Sequence, residues 1–331
     1  MNILLTDYCN RSCTYCFAKE KVSHKPGAQT GKNMPLANLV KAVDFFVASR
    51  RDRVSLLGGE PTQHPQFAEI LQYIAMRGLN VHIFSNGMVD EAQLQKIGAC
   101  VDEERTTFTI NLNHPQQRSK KEQGLVHGFL TQFGHLCGAG VNIHTADMDL
   151  SFLLDDMDKY GMKQRVRVGI SHPAEKGSNS HLPIEKYPGA LDNLTDFMGR
   201  VQDRQVEFSL DCGFPMCLFS DEQLGLIYRS GRGGKRNFRC SPVIDIGPDL
   251  DVWACFPMGS LGNVKLDDFH DARELGRHFT RQLKSKVGRR GTGIFRECDG
   301  CVWKERDLCT GGCQAYLLLG RPVSRKALVG Y

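Results

Sequence analysis

Three cysteines fall within eight residues close to the N-terminus, in the stretch CNRSCTYC: Cys9, Cys13 and Cys16. In a reducing compartment, clustered thiols serve metals or catalysis rather than disulfides. A four-iron cluster is normally held by four cysteine thiolates, so three from one loop can hold three irons and leave the fourth iron to a non-protein ligand. Structural zinc is the alternative for the same trio. Zinc wants a fourth nearby ligand and usually pairs of CxxC, and His24 is a poor candidate for that ligand. Tyr15, just ahead of Cys16, is placed to shield the open face. A second concentration of cysteines lies between residues 212 and 313, where eight of the thirteen are found. Cys100 and Cys137 stand alone between the two groups.

The elements that must position these residues are read from periodicity. NILLT, RVSLL, NVHIFS, TTFTINL, VNIHTA and RVRVGI are six strand candidates. Amphipathic helical stretches follow them: residues 35–50 with Pro35 in a first turn, 65–78 closed by Gly78, 90–98 stopped by Gly98, 122–138, 151–161, and 186–204. Strands that each precede a helix imply a parallel sheet with right-handed crossovers, fitting either a doubly wound sheet or an incomplete barrel. Function in either gathers at the C-terminal ends of the strands. After about residue 211 the pattern breaks, and glycine, proline and cysteine rise. VIDIGPDLDVWAC reads as a small hairpin turning near residues 247–249. The expected organisation is a first domain over 1–210 and a small domain over 211–331, short of apolar core and stapled by metal.

Of the 331 residues, 41% are hydrophobic and 24% charged, ordinary for a globular chain, and the formal net charge is +5. That charge is a weak pointer to an anionic partner and makes no nucleic-acid surface. No apolar run reaches the length of a membrane span, and no signal peptide precedes the cysteine loop, so a cytoplasmic location without membrane contact is expected.

The spacing CxxxCxxC with an aromatic before the last cysteine resembles the radical S-adenosylmethionine (SAM) superfamily. LLGGEP at 56–61 resembles that family's glycine-rich motif for the SAM amino group, and FSNG at 84–87 its polar contact to the cofactor. The resemblance implies a partial (β/α)6 TIM-like barrel and a SAM-binding four-iron cluster on Cys9, Cys13 and Cys16. It implies SAM contacts from Tyr15, Phe17, Gly58, Gly59, Glu60, Pro61, Ser85, Asn86 and Asn113. Here Gly58 and Gly59 would let the backbone approach a ligand closely, and Glu60 would accept from an ammonium. It further implies reductive cleavage of SAM to a 5′-deoxyadenosyl radical that abstracts a hydrogen atom, with the electron coming from a donor such as ferredoxin or flavodoxin.

The later cysteines, CDGCVWKERDLCTGGC (Cys298, Cys301, Cys309, Cys313) with Cys240 and Cys255 around the hairpin, resemble the SPASM domain, a C-terminal extension that holds auxiliary four-iron clusters. Seven residues separate Cys301 from Cys309 where the family usually has five, and no cysteine follows Cys313. Cys212 and Cys217 of DCGFPMC bring the set to eight, enough for two fully ligated clusters. The expected division is Cys217, Cys240, Cys255 and Cys313 in one cluster and Cys298, Cys301 and Cys309 in the other, with Cys212 as its fourth ligand. A single auxiliary cluster and a zinc ribbon are the alternatives.

Among isolated residues, Cys100, Cys137 and Cys212 are candidates for a thiol hydrogen donor, although Cys100 and Cys137 read more plainly as packed thiols. His82, His114, His144 and His172 lie on or just after strands. SGRGGKR at 230–236 is a basic loop able to clamp an acidic or peptide substrate. The resemblance favours modification or crosslinking of a ribosomally made peptide, with small-molecule dehydrogenation as the second choice. Sulfatase-type maturation is weakened because Phe256 stands where those enzymes carry Asp. Because the cysteine loop begins at residue 9, any leader peptide is expected to need a separate leader-binding protein or a short contact surface. A non-catalytic iron–sulfur or zinc protein is the reading from a different class.

Overall fold

The computed structural model describes residues 1–331 apart from 25–30, 232–237, 241–242, 289–290, 321 and 330–331. Most of the basic loop at 230–236 therefore lies outside the described residues. Alternating strands and helices run through the first two-thirds of the chain: β1 (Asn2–Leu4), α1 (Leu36–Ala48), β2 (Arg53–Leu57), α2 (Phe67–Met76), β3 (Asn80–Ser85) and α3 (Glu91–Cys100). β4 (Thr106–Asn111), α4 (Lys120–Phe133), β5 (Cys137–Ile143), α5 (Phe152–Lys159), β6 (Arg165–Ile170), α6 (Tyr187–Arg200) and β7 (Glu207–Leu210) continue it. Beyond these come α7 (Asp221–Ser230), β8 (Ile244–Ile246), β9 (Asp251–Ala254), β10 (Val264–Lys265) and α8 (Ala272–Lys286).

Among the described residues, ten strands form one sheet, ordered β10-β9-β8-β1-β2-β3-β4-β5-β6-β7. β1 to β7 are parallel and sequential. Right-handed crossovers between strands in sequential order place every connecting helix on the same face of the sheet. The winding is therefore that of a barrel rather than a doubly wound sheet, and it stays open, with β7 and β10 at its edges. Side-chain alternation agrees. Ile3, Val54, Leu56, Val81, Ile83, Phe108, Ile110, Val141, Val166 and Val168 are buried in the helix-covered core. The opposite face carries His82, Phe84, Thr107, Thr109, Asn111, Gly140, Asn142, Arg167, Gly169 and Asp211, polar or small apart from Phe84.

Four local readings change. A seventh parallel strand, β7, is present; EFSL is too short to announce itself. α3 runs through Gly98, whose added Cβ would sit 2.5 Å from Gln132 Nε2, so this glycine allows α3 to meet α4 rather than ending α3. β5 begins at Cys137, where the sequence suggested helix. Its glycines hide the strand: a Cβ on Gly140 would come within 2.8 Å of Thr109 and 2.9 Å of Asn111, so only glycine fits beside β4. The hairpin β8–β9 is not detached, because β8 pairs with β1 in the register Asn2↔Asp245 and Ile3↔Ile246. The sheet thus runs unbroken across the expected boundary at residue 210.

Candidate functional site

The loop after β1 carries Cys9, Cys13 and Cys16, and its backbone is held at several points. Cys9 N–H donates to Ser23 O (2.9 Å), Ser23 N–H to Asp7 O (2.7 Å) and Cys16 N–H to Cys13 O (3.2 Å). Burial pushes all three thiols up, Cys9 to about 12 and Cys16 to about 11, and Cys13 and Cys16 both act on Cys9. Without a cation such thiols stay neutral, whereas a bound metal deprotonates a coordinating thiol outright. Among the described residues, no three His, Cys, Asp or Glu side chains are arranged to hold a single metal ion.

The glycine-rich loop after β2 packs directly on this cysteine loop. A Cβ on Gly58 would lie 2.4 Å from Thr6 O, and one on Gly59 2.3 Å from Tyr8 O. These glycines let the backbone of the cysteine loop approach closely. Gly59 N–H donates to Thr6 O and Glu60 N–H to Tyr8 O, both at 2.8 Å. The Glu60 side chain is likewise committed inward. It is 1% exposed, and its carboxylate accepts from Thr62 N–H (3.2 Å), Thr62 Oγ1 (2.8 Å), Ser85 Oγ (2.7 Å) and Asn86 N–H (2.7 Å). Glu60 and Ser85 clip the β2 loop to the β3 loop instead of presenting free groups. Pro61 is buried at the start of a short 3-10 turn. Asn86 turns to the cysteines: its Nδ2 donates to Asn10 Oδ1 (2.9 Å) and lies 3.9 Å from Cys9 Sγ.

Tyr15 and Asn113 are brought together, the tyrosine hydroxyl donating to Asn113 Oδ1. The Tyr15 ring stacks on His144, with centroids 4.4 Å apart and planes at 18°. Phe17 is exposed at its outer side and meets Phe256 edge-on at 5.7 Å. Phe256, Trp253, Leu4 and Ala18 form an apolar patch that includes Cys16, so the β8–β9 hairpin packs under the cysteine loop.

Sequence reasoning passed over two residues here. Arg11, inside the cysteine loop, is 7% exposed. Its Nε reaches Glu122 of α4 at 3.3 Å, while its Nη2 is buried without a partner. Asn179 donates from Nδ2 to both Tyr15 O (3.0 Å) and His172 O (2.8 Å), tying the loop after β6 to the cysteine loop. Arg11 was legible in principle as a charge between two ligand-spaced cysteines; nothing local marks Asn179.

The later cysteines fall into two groups. Cys240 and Cys255 pack with Cys313 in one apolar cluster, and Cys212 joins them. The neighbouring Cys240 thiol, then burial, drives the Cys212 thiol upward, and Cys212 in turn acts on Cys255 and Cys313. Cys217 packs against the main core that also holds Cys298 and Cys309, and burial with the charges of Cys298 and Cys309 raises Cys217 to about 12. Cys301 acts on Cys298 in the same way.

The remaining candidates are dispersed. Cys137 is buried at the N-terminal start of β5, with its Sγ donating to Phe133 O (3.0 Å), at the end of the sheet away from the cysteine loop. Cys100 ends α3 only half-buried, not in the core. His82 sits between Thr107 Oγ1 (2.8 Å) and Thr109 Oγ1 (3.1 Å), and burial lowers it to about 4. His114 caps a turn after β4, and His172 Nε2 lies 3.2 Å from the Cys212 carbonyl.

A trio of thiols thus sits at the C-terminal mouth of a singly wound, open α/β barrel, buttressed by the loops of the next two strands. Residues 3–132 match the family described as "Radical SAM superfamily". That family implies SAM and a four-iron cluster, and the three cysteines fit the cluster by number and donor type. Over 102 residues the chain is 32% identical to "GTP 3',8-cyclase, mitochondrial" of Arabidopsis thaliana, covering 30% of this chain and 25% of that protein. Over 93 residues it is 31% identical to "S-adenosylmethionine-dependent nucleotide dehydratase" of Selenomonas ruminantium, covering 26% and 29%. The chain thus spans between a quarter and a third of the length of these two curated relatives. The fold resembles Streptococcus suis SuiB bound to precursor peptide SuiA, with a TM-score of 0.64 and 14% identity over 99% of this chain and 75% of that one. SuiB bound to S-adenosylmethionine gives 0.62 and 14%, covering 99% and 76%. Among the described residues no helix is long and apolar enough to cross a membrane.

Proposed function

We propose that the chain is a peptide-modifying radical SAM enzyme whose C-terminal third is a SPASM-like region bearing auxiliary four-iron clusters. The observation that carries the radical SAM part is the joined set of three loops: Cys9, Cys13 and Cys16 after β1, Gly58–Glu60 after β2, and Asn86 after β3 touching Cys9 Sγ. Cys9, Cys13 and Cys16 would hold the cluster and leave one iron for the SAM amino and carboxylate groups; cluster and SAM together supply a carbon radical able to abstract hydrogen. This chain's own residues do the positioning. Asn86 orients the loop at Cys9, Tyr15 is held by Asn113 and His144 beside Cys13 and Cys16, and Glu60 fixes the β2 and β3 loops as one unit. Phe17 lies beside the same mouth.

The polar face of β3–β7 supports a peptide substrate. The sheet has two free edges, β7 and β10, so this trough is open at its sides and gives an extended chain a path to the cysteine loop. A reducing cytoplasm and a one-electron donor such as ferredoxin or flavodoxin complete the reading. A nucleotide substrate is the second reading, favoured by the identity to a GTP 3',8-cyclase and a nucleotide dehydratase.

The test is anaerobic reconstitution with iron and sulfide, followed by dithionite and SAM, with 5′-deoxyadenosine measured by chromatography. Formation that disappears in the C9A/C13A/C16A variant is expected, and none despite a filled first cluster overturns the enzyme reading. Acceleration by peptides from a synthetic library supports the peptide substrate; acceleration by GTP alone transfers the proposal to nucleotides.

A further inference from the structure

The loop after β7, DCGFPMC, sends its two cysteines to different places. Gly213 has φ +102, a conformation that L side chains rarely adopt. A Cβ there would lie 2.4 Å from the His172 ring and 3.2 Å from Cys313 Cβ. The turn therefore abuts the strand-end histidine and Cys313, and the Cys212 carbonyl lies 3.2 Å from His172 Nε2. Cys240 is seated beside the same segment, its N–H donating to Thr310 Oγ1, and Thr310 N–H donates to Phe238 O (3.0 Å).

After Pro215 a short 3-10 turn, Met216–Leu218, carries Cys217 away. Its carbonyl lies 3.5 Å from Arg325 Nη1, and Arg325 N–H donates to Glu297 Oε2 (2.9 Å), the residue before Cys298. Cys217 packs against the main core that also holds Cys298 and Cys309, whereas Cys240 and Cys255 pack against a separate apolar cluster that holds Cys313. Cys298 is itself enclosed by glycine, since a Cβ on Gly293 would sit 2.5 Å from its Sγ and one on Gly311 2.9 Å away. Space is thus kept around that sulfur by residues that carry no side chain.

We infer that Cys217 supplies the fourth thiolate of the cluster held by Cys298, Cys301 and Cys309, and that Cys212 completes the other with Cys240, Cys255 and Cys313. This rests on the reading of the region as cluster-bearing. Its content is an assignment of the two cysteines of one loop to different clusters. Two further properties follow. Both four-iron clusters have four thiolates, so neither keeps an open iron for substrate, and both serve electron transfer or structure. One short loop at the end of β7 also ties the two clusters to the polar face of the barrel.

The experiment uses the full chain, reconstituted anaerobically, with iron and sulfide analysis and electron paramagnetic resonance after dithionite reduction. C298A/C301A is expected to lose about four irons, one cluster. Adding C217A to that background should remove no more iron and leave the remaining auxiliary signal unchanged, while adding C212A should shift or abolish that signal. The opposite pattern, with C217A disturbing the remaining cluster and C212A silent, overturns the assignment. Should C298A/C301A fail to fold, single serine variants decide: C217S and C298S must perturb one common auxiliary signal, and C212S and C240S the other. A wild-type protein holding only about four irons, all lost in C9A/C13A/C16A, would overturn the cluster-bearing reading itself rather than the partition.

Discussion

Alanine at position 59 tests whether the β2 glycine loop holds the cysteine loop in place. The added methyl would sit 2.3 Å from Tyr8 O, 2.4 Å from Tyr8 C and 2.8 Å from Cys9 N. Ordinary contact begins at 3.4 Å, so the two backbones must separate by about 1 Å, and neither is the flexible end of a side chain. The hydrogen bonds Gly59 N–H to Thr6 O and Glu60 N–H to Tyr8 O, both 2.8 Å, would stretch beyond useful length. Losing them costs about 1 kcal/mol each, and overpacking adds about 1–3 kcal/mol. At about 2–4 °C per kcal/mol for domains of 150–250 residues, and less for a longer chain, the melting temperature should fall by several degrees. Cys9 moves with its loop, and a misplacement of this size is worth on the order of 100-fold in rate. Calorimetry, iron analysis and 5′-deoxyadenosine formation read the three effects. Gly124→Ala is the control: this glycine lies on the exposed side of α4 with nothing within 4 Å, and the change should stabilise by about 0.5–1 kcal/mol. A G59A protein with unchanged melting temperature, full iron and undiminished SAM cleavage would refute the close-packing argument.

Glu60→Ala leaves the Thr62 and Asn86 N–H groups buried without their acceptor; each orphaned donor costs about 1–3 kcal/mol, and urea unfolding should show a lower midpoint with unchanged slope. Arg11→Gln removes the buried cation beside Cys13 and its ion pair with Glu122. The cost should stay under the roughly 3–5 kcal/mol of a fully buried pair, because Glu122 keeps Ser119 as a partner, and the reduction potential of the three-cysteine cluster should turn more negative. Asp245 on β8 is buried, which raises its carboxyl to about 7 despite the hydrogen bond from Asn2 Nδ2 (2.7 Å). Between its ordinary value and about 7 the folded protein keeps a proton that the unfolded chain releases, so this stabilisation is complete in acid and lost as pH rises through about 7. Asp245→Asn should flatten the decline, worth up to about 1.4 kcal/mol per pH unit, and give the more stable protein at pH 8; an unchanged pH profile of urea midpoints would contradict it.

Much of this protein is written locally. The spacing of Cys9, Cys13 and Cys16 is a property of one loop, and the alternation of strand and helix from β1 to α6 follows from side-chain periodicity within each segment. The positions of LLGGEP and FSNG at strand ends follow from the same reading. Tertiary structure decided what local pattern does not encode. Gly98 looks like a helix stop, yet it is a contact with Gln132. Gly140 looks like a break, yet it lies in β5 because β4 leaves no room there for a Cβ. Glu60 looks like a free anion, yet it is consumed by Ser85 and Asn86, residues 25 and 26 positions away. β8 looks like part of a separate unit, yet its backbone groups pair with β1 across 243 residues. The cysteines make the point most directly. A thiol is the same ligand wherever it stands, so counting gives eight without saying which belong together. Only the turn at Gly213, which follows Cys212, abuts Cys313 and releases Cys217 toward Cys298, sorts them, because that sorting is made of contacts between residues some eighty to a hundred positions apart.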